Sequence, residues 1–250
     1  MQKSFSFDGQ HVLEFDDATH RYTLDGKRVV GATTIGSAYP KGEGLIRWMI
    51  EQGIDEYVNK TKLKAASSIG DVVHDYAYCI EKKKPFDMTK VQDHPDAATI
   101  KVAMDKVDKY ISQNGDEIVM AEDVIASPKL MVAGKLDTLR RRKGKLIVGD
   151  YKTSKSIYIS ALHQTVLYKL MLKEWHNIDI DAVEIAKFGK SKAEPLFETC
   201  YVDADSMVIN GTYYEYPGIM AELEKQTIRN VQTYRHQTGP DNFLYRRLKK

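Results

Sequence analysis

The segment Val148 to Lys155, VGDYKTSK, places Asp150 and Lys152 two residues apart at the end of a strand-like run that begins at Lys145. On a β-strand residues two apart share a face. A carboxylate and an ammonium therefore point the same way as Leu146 and Val148. A hairpin turn centred on Lys143-Gly144 pairs residues whose numbers sum to 287, which sets Asp137 opposite Asp150, roughly 5 Å apart at Cβ. Like charges that close repel unless something positive lies between them. Lys152 supplies part of that charge; a hard divalent cation, Mg²⁺ or Mn²⁺, supplies it better. A single Asp on a strand end is usually just solvated, but two in register with a Lys beside them favour the cation. The inference depends on the register, which a shifted turn would spoil.

A third ligand is available in SSIGDVVHDYAYCI, where His74 lies on the opposite side of a helix from Val72 and Ile80 and four residues after Gly70. A neutral imidazole would complete a mixed oxygen–nitrogen site that tolerates Mn²⁺, although a helical His serves equally well as a hydrogen-bonded structural residue. Gln164 and Tyr168, spaced i, i+4 in HQTVLYKL, share a helix face beside the strand of Asp150. An amide that bonds a phosphate or base edge and a phenol that stacks on a base suit nucleic acid; taken alone, the pair reads more simply as a surface Gln and a half-buried Tyr. Glu122, in MAEDVIAS, reads as an ordinary sheet residue rather than as an outer-sphere carboxylate.

Several elements must position these groups. Residues 11–35 read as short strands with a turn at Asp25-Gly26. Residues 42–66 read as a helix with Leu45, Trp48, Met49 and Ile54 on one face, and a second helix begins near Ser67 and stops before Pro85. A third covers 96–113 and closes at Gly115. EIVMAEDVIAS, KLMVAGKLDTLRR and KLIVGDYKTS form an antiparallel meander of three strands. A helix from Ile159 to Trp175 follows, then DAVEIAKFG as a strand parallel to an earlier one, because it is reached across a helix. LFETCYVD is a further strand, and a long helix from about Ala204 to His236 ends the fold. The expected class is α/β: one domain over 1–250, with strands and a helix in 1–66, the core in 67–190, and a strand and long helix in 191–250.

Composition narrows the functional classes. The chain has 250 residues, 42% hydrophobic and 29% charged, and a net charge of +2, too small to identify a polyanionic partner by itself. From Gly134 to Lys155, however, eight Lys or Arg face only two acids, and the tail YRRLKK adds a second basic cluster. The two cysteines, Cys79 and Cys200, exclude a four-cysteine zinc or iron–sulfur site built from this chain alone and suit a reducing compartment. No signal peptide, membrane span, repeat or linker is visible, so a cytoplasmic protein of a bacterium or phage-infected host is expected.

In chain order GDVVH (Gly70–His74), GKLD (Gly134–Asp137), DYK (Asp150–Lys152) and QTVLY (Gln164–Tyr168) resemble the motif series of the RecB-like branch of the PD-(D/E)xK nuclease superfamily. Each motif alone is weak; the four in sequence cover about 67–190. HRYTLDGKRVVGATTI and GLIRWMIEQG look like the opening of single-domain exonucleases of that branch, the phage-encoded and mitochondrial genome-maintenance types. No P-loop is present, nor are the four cysteines of the iron–sulfur relatives. The resemblance implies a restriction-endonuclease-like core of helix, three-stranded meander, helix and strand, with helical additions at both ends. It implies a Mg²⁺- or Mn²⁺-dependent DNase in replication, recombination or repair. His74, Asp137, Asp150 and the Tyr151 carbonyl would be metal ligands; Asp137, Asp150 and Lys152 would be catalytic. Gln164, Tyr168 and the basic Arg140, Arg141 and Arg142 would bind a single strand or a strand end. An endonuclease using the same site, and an inactive DNA-binding or recombination partner, remain as alternatives. A recombinase or single-strand-binding partner is not legible.

Overall fold

The computed structural model describes residues 2–7, 10–37 and 56–238, with side chains from residue 10 in the first part and from 67 in the last. The basic tail, most of the helix expected over 42–66 and its apolar face lie outside the described residues.

Four strands open the chain: β1 (Gln2–Phe7), β2 (His11–Asp16), β3 (Arg21–Leu24) and β4 (Lys27–Gly31). The β3–β4 turn falls at Asp25-Gly26, both with positive φ (50° and 71°), the backbone of a tight two-residue hairpin. A short helix α1 (Ala32–Ser37) follows. One helix, α2 (Glu56–Glu81), replaces the boundary expected near Ser67. No Pro or capping Gly interrupts it there, so propagation runs straight through the Ser67-Ser68 pair. Helices α3 (Thr89–Gln92) and α4 (Ala97–Asn114) come next, and α4 stops at Gly115 with φ 60°.

The segments expected as a simple meander are bent. The first divides into β5 (Glu117–Ala121) and β6 (Val124–Ser127), the second into β7 (Val132–Lys135) and β8 (Thr138–Arg142), and the third is β9 (Lys145–Lys152). Strands β6 and β7 join a six-stranded sheet ordered β1-β2-β3-β4-β7-β6. Strands β5, β8 and β9 join a seven-stranded sheet that continues through β10 (Ala182–Lys187), β11 (Glu198–Val202), β12 (Ser206–Ile209) and β13 (Thr212–Glu215). Within that sheet β5, β8 and β9 are antiparallel neighbours, and β10 runs parallel to β9. The hairpin register holds as read: Thr138 faces Gly149 and Leu139 faces Val148. At the N-terminus the described addition is mainly strand rather than helix.

The C-terminal helix starts later than expected. Residues 206–215 form the β12–β13 hairpin around Asn210-Gly211, with φ 49° and 82°, and helix α6 (Ile219–Thr238) begins after Pro217.

Helix α5 (Ile159–His176) lies between the two sheets, against β6 on one side and β9 and β10 on the other, with α6 alongside. Residues 161–168 are all buried, as befits a helix enclosed on every side rather than one with a single apolar stripe. The other face of the seven-stranded sheet carries a second core, where Val73 and Ala77 of α2 and Ile100, Val107 and Tyr110 of α4 meet Tyr151 and Phe188. No helix among the described residues is long and apolar enough to cross a membrane.

Candidate active site

The bend between the sheets places the acids. At the crease the Glu122 amide donates to the Asp137 carbonyl (3.1 Å) and the Leu136 amide to the Asp123 carbonyl (3.0 Å), so the two bent strands turn together. Glu122 has φ 56°, a left-handed conformation uncommon for a residue with a side chain. The turn brings Glu122 and Asp137 to the same line. Asp137 lies one residue beyond the last β8–β9 pair, and its Oδ2 accepts from the Tyr151 amide at 2.7 Å.

Helix α2 supplies His74, whose Nδ1 is 3.3 Å from Asp137 Oδ1. It approaches the end of β9 at Gly70, where an added Cβ would meet the Thr153 hydroxyl at 3.4 Å. One donor atom each from His74, Glu122 and Asp137 lies within 4.8 Å of the others. Asp150 is buried beside them. Lys152 Nζ donates to Asp150 Oδ1 at 2.8 Å and lies 2.7 Å from Oδ2, which takes no hydrogen bond.

These side chains line an open cleft of about 760 Å³ between the two sheets, together with Lys135, Lys190, Gln164 and Tyr168. Asp150 is among the deepest groups beside it, 1% exposed.

The electrostatics follow from crowding acids in a partly dry place. Burial pushes Asp150 up to about 6, aided by Asp137 and opposed by Lys152. Burial also raises Glu122, and Asp137 adds to that. For His74 burial disfavours the charged form, but the Asp137 carboxylate outweighs it and lifts the group to about 9. Asp137 is held down despite its burial, first by His74 and then by Lys152. Lys152 is likewise raised against the cost of burial, chiefly by Asp150. Acids pushed up by burial and by one another, and an imidazole that holds a proton only because an acid adjoins it, form a strongly coupled cluster. The convergent donor set is two carboxylates and one imidazole, with the Asp150 carboxylate buried beside it against Lys152. It fits a hard divalent cation of the Mg²⁺ or Mn²⁺ kind.

Helix α5 supports this cluster. Gln164 Oε1 accepts from Lys152 Nζ at 3.4 Å, while its Nε2 donates to the Tyr168 hydroxyl at 2.9 Å and faces Thr33 Oγ1 at 3.4 Å. A side chain at Gly134 would collide with the Tyr168 ring, since its Cβ would lie 2.7 Å from Cε1. That contact explains the glycine of GKLD, and it corrects the stacking role expected of Tyr168. The ring is 2% exposed and wedged against the backbone, so it orients Gln164 and offers no face to a base.

The arginines are also corrected. Arg140 is 1% exposed and donates to Glu184 (2.5 Å) and the Tyr151 hydroxyl (3.2 Å). Arg142 is engaged with Asp116 through two hydrogen bonds of 2.8 Å and with Glu184. Arg141 stays at the surface, 3.4 Å from Glu117. None of the three lines the cleft. On a strand covered on both faces, alternate members of a charge run must enter the interior, and these two enter paired. The Tyr151 side chain belongs to the same buried network, since its hydroxyl also donates to Glu81.

Glu122, read from the sequence as an ordinary sheet residue, lines the cleft beside Lys135, which pairs with it, and Lys190 lines it too; neither lysine was singled out from the sequence as functional. Buried Lys106 fixes the loop that carries Lys190 by donating to the carbonyls of Ser191 (2.8 Å), Pro195 (2.9 Å) and Glu194 (3.3 Å). For Glu122 the available signal was an acidic pair, Glu122-Asp123, interrupting an apolar strand pattern.

No family model matches the chain, and no curated protein matches it. Among solved structures it is similar to LHK-Exo, an alkaline exonuclease from Laribacter hongkongensis, at 11% identity. The alignment covers 88% of this chain and 93% of that one, with TM-scores of 0.37 for the complex with dAMP and 0.34 for a second structure. It is also similar to SSO0001, at 13% identity and TM-score 0.27, over 64% of this chain and 74% of that one. Similarity at this level carries neither residues nor activity across.

Proposed function

We propose that the protein is a divalent-metal-dependent nuclease of PD-(D/E)xK type that hydrolyses DNA phosphodiester bonds from an end. The observation that carries this reading is one cleft in which donor atoms of His74, Glu122 and Asp137 converge, with the Asp150–Lys152 pair beside them. His74, Glu122, Asp137 and Asp150, with the Tyr151 carbonyl, would hold Mg²⁺ or Mn²⁺, which supplies a polarised phosphate and a bound water of lowered pKa.

The chain's own residues do the rest. Lys152, kept charged by Asp150, offsets the charge that grows on the phosphate oxygens and orients the attacking water. Gln164 holds the Lys152 ammonium in place and is itself fixed by Tyr168. Lys135 and Lys190 line the approach and attract the phosphate backbone. Cleavage from an end and a role in replication, recombination or repair rest on the motif resemblance.

The test uses end-labelled single- and double-stranded DNA with Mn²⁺. Asp150→Ala and Lys152→Ala should abolish product while circular dichroism shows an intact fold; cleavage at the normal rate by either variant overturns the assignment. A covalently closed circle should survive digestion, and its linearisation would instead identify an endonuclease with the same chemistry.

A further inference from the structure

The seven-stranded sheet ends differently at its two edges. At one edge β5 carries a register shift between Ile118 and Met120, a bulge of the kind that spoils an edge for further pairing. At the other, β13 has no bulge, Lys or Pro, and none of its four residues is buried. The Asn210-Gly211 turn makes Ile209 and Thr212 the first bonded pair of the hairpin. The Tyr216 amide, donating to the Asp205 carbonyl at 2.9 Å, keeps the same alternation. Tyr213 and Glu215 therefore turn their backbone N–H and C=O groups away from β12, toward the free edge. Exposed rings gather at the same corner. Of the nine exposed large apolar or aromatic side chains among the described residues, five are Tyr213, Tyr214, Tyr216, Tyr158 and Ile159. Tyr158 and Ile159 line a recess of about 350 Å³ with Met207 and Ile209, and Tyr214 shares a sheet face with Met207. Tyr213 and Glu215 occupy the opposite face.

The charge of this corner selects the occupant. From residue 193 to 224 the chain has seven acids and no Lys, Arg or His. Four of the acids pair with lysines from elsewhere in the fold; among the described residues Asp205, Glu215 and Glu222 have no ion pair. Glu215 lies on β13 itself. Asp205 is held at the end of the strand, where its carboxylate accepts from the Gly218 amide at 2.8 Å, and Glu222 follows in the first turn of α6. We propose that β13 is a docking edge for another protein, which adds an extended basic segment to the sheet, with cations toward Glu215 and apolar side chains toward Tyr214. Main-chain bonds give such an added strand its affinity, and alternate side chains give it specificity. DNA, a polyanion, is disfavoured at this edge, and so is the same edge of a second copy, which would bring like charges together. Strand β13 lies four strands from β9, roughly 19 Å away, so a segment docked there sits apart from the acids of the cleft. The inference does not depend on the chemistry of that cleft.

The probe is a fluorescein-labelled synthetic peptide that alternates Lys and Val, compared with a Glu–Val peptide of the same length by anisotropy across a salt series. The Lys–Val peptide should bind, more weakly as salt rises, and the Glu–Val peptide should not. Tyr213→Pro removes an outward N–H that β12 does not use, so the hairpin survives and affinity should fall about ten-fold. Glu215→Lys/Glu222→Lys should weaken the Lys–Val peptide about ten-fold or more and admit the Glu–Val peptide. Both variants should keep the wild-type unfolding midpoint. Glu215 and Glu222 are exposed, so the charge reversal reads docking even if the proline loosens the hairpin. Equal binding of the two peptides, no binding of the Lys–Val peptide, or wild-type affinity in both variants overturns the proposal. A dimer that Tyr213→Pro dissociates would make a second copy the occupant, and single-stranded DNA binding in EDTA that Tyr213→Pro weakens would make DNA the occupant; either result overturns it as well.

Discussion

Strands β8 and β9 carry charge on both faces, and the two faces treat it in opposite ways. On the face toward α2 and α4, Arg140 and Arg142 meet Asp116 and Glu184, with Tyr151 and Glu81 closing the network. Two arginines there share three acids, enclosed in the core and bordered by aromatic rings such as Tyr110, with the Arg140 guanidinium 5.4 Å from its centroid. On the other face Asp137 and Asp150 gather with Glu122 beside an open cleft, and their cationic partners are His74, Lys152 and Lys135. The same residue types on these strands and their flanks therefore form an enclosed network on one side and a cluster that opens onto a cleft on the other. A charged cluster becomes available for chemistry when a cavity adjoins it.

The sharpest way to break this contrast is Arg140→Met. Removing one member of this buried set strands its partners, so we expect a loss of about 3–5 kcal/mol in stability, measured by denaturant unfolding; a loss below 1 kcal/mol would mean the network is not structural. Lys152→Ala should do the reverse. Cleavage should fall roughly 10²–10³-fold, with an unfolding midpoint in Mn²⁺ shifted far less than by Arg140→Met. Glu122→Gln tests whether the crease acid belongs to the cation site. Calorimetric Mn²⁺ affinity should fall about 10–100-fold, and an unchanged affinity would return Glu122 to its partner Lys135 alone.

The smallest effect concerns pH. Burial pushes Glu81 up to about 7, against the pull of Tyr151 and Arg140, from an ordinary value of 4.5. Between those values the native protein keeps a proton that the unfolded chain has released, so this group's contribution to stability falls as pH rises and is spent above 7. Glu81→Gln should remove that portion of the slope between pH 5 and 7, read as the difference in unfolding free energy from wild type at each pH. Identical slopes for the two proteins would show that Glu81 ionises normally.

Much of the site was legible because it depends on periodicity. The turn at Lys143-Gly144 fixed the pairing that leaves Asp137 and Asp150 on one side, and a helix between β9 and β10 implied their parallel order. The spacing of Gln164 and Tyr168 placed them together, although burial made Tyr168 a brace. The crease was only faintly legible: the acidic pair Glu122-Asp123 breaks the apolar pattern of MAEDVIAS, but such a break reads equally as a solvated strand position, so it did not mark Glu122 as the turning point. The charge run at Arg140 misled because a linear count of Lys and Arg does not say which strand face is covered. The β12–β13 hairpin had a readable signal in Asn210-Gly211, and Pro217 should have argued against a helix spanning it.

The crease has a consequence for the N-terminal sheet. Glu122 and Asp137 stand on the line where two sheets part, so the gap between their oxygens is set by the angle at which those sheets diverge. Among the described residues strands β1 to β4 add none of the clustered donor atoms, yet β4 pairs with β7, so this leaf backs the strand that runs into Asp137. Residues such as Leu13 and Phe15, fully packed inside that leaf, thereby bear on the spacing of the acids without touching them.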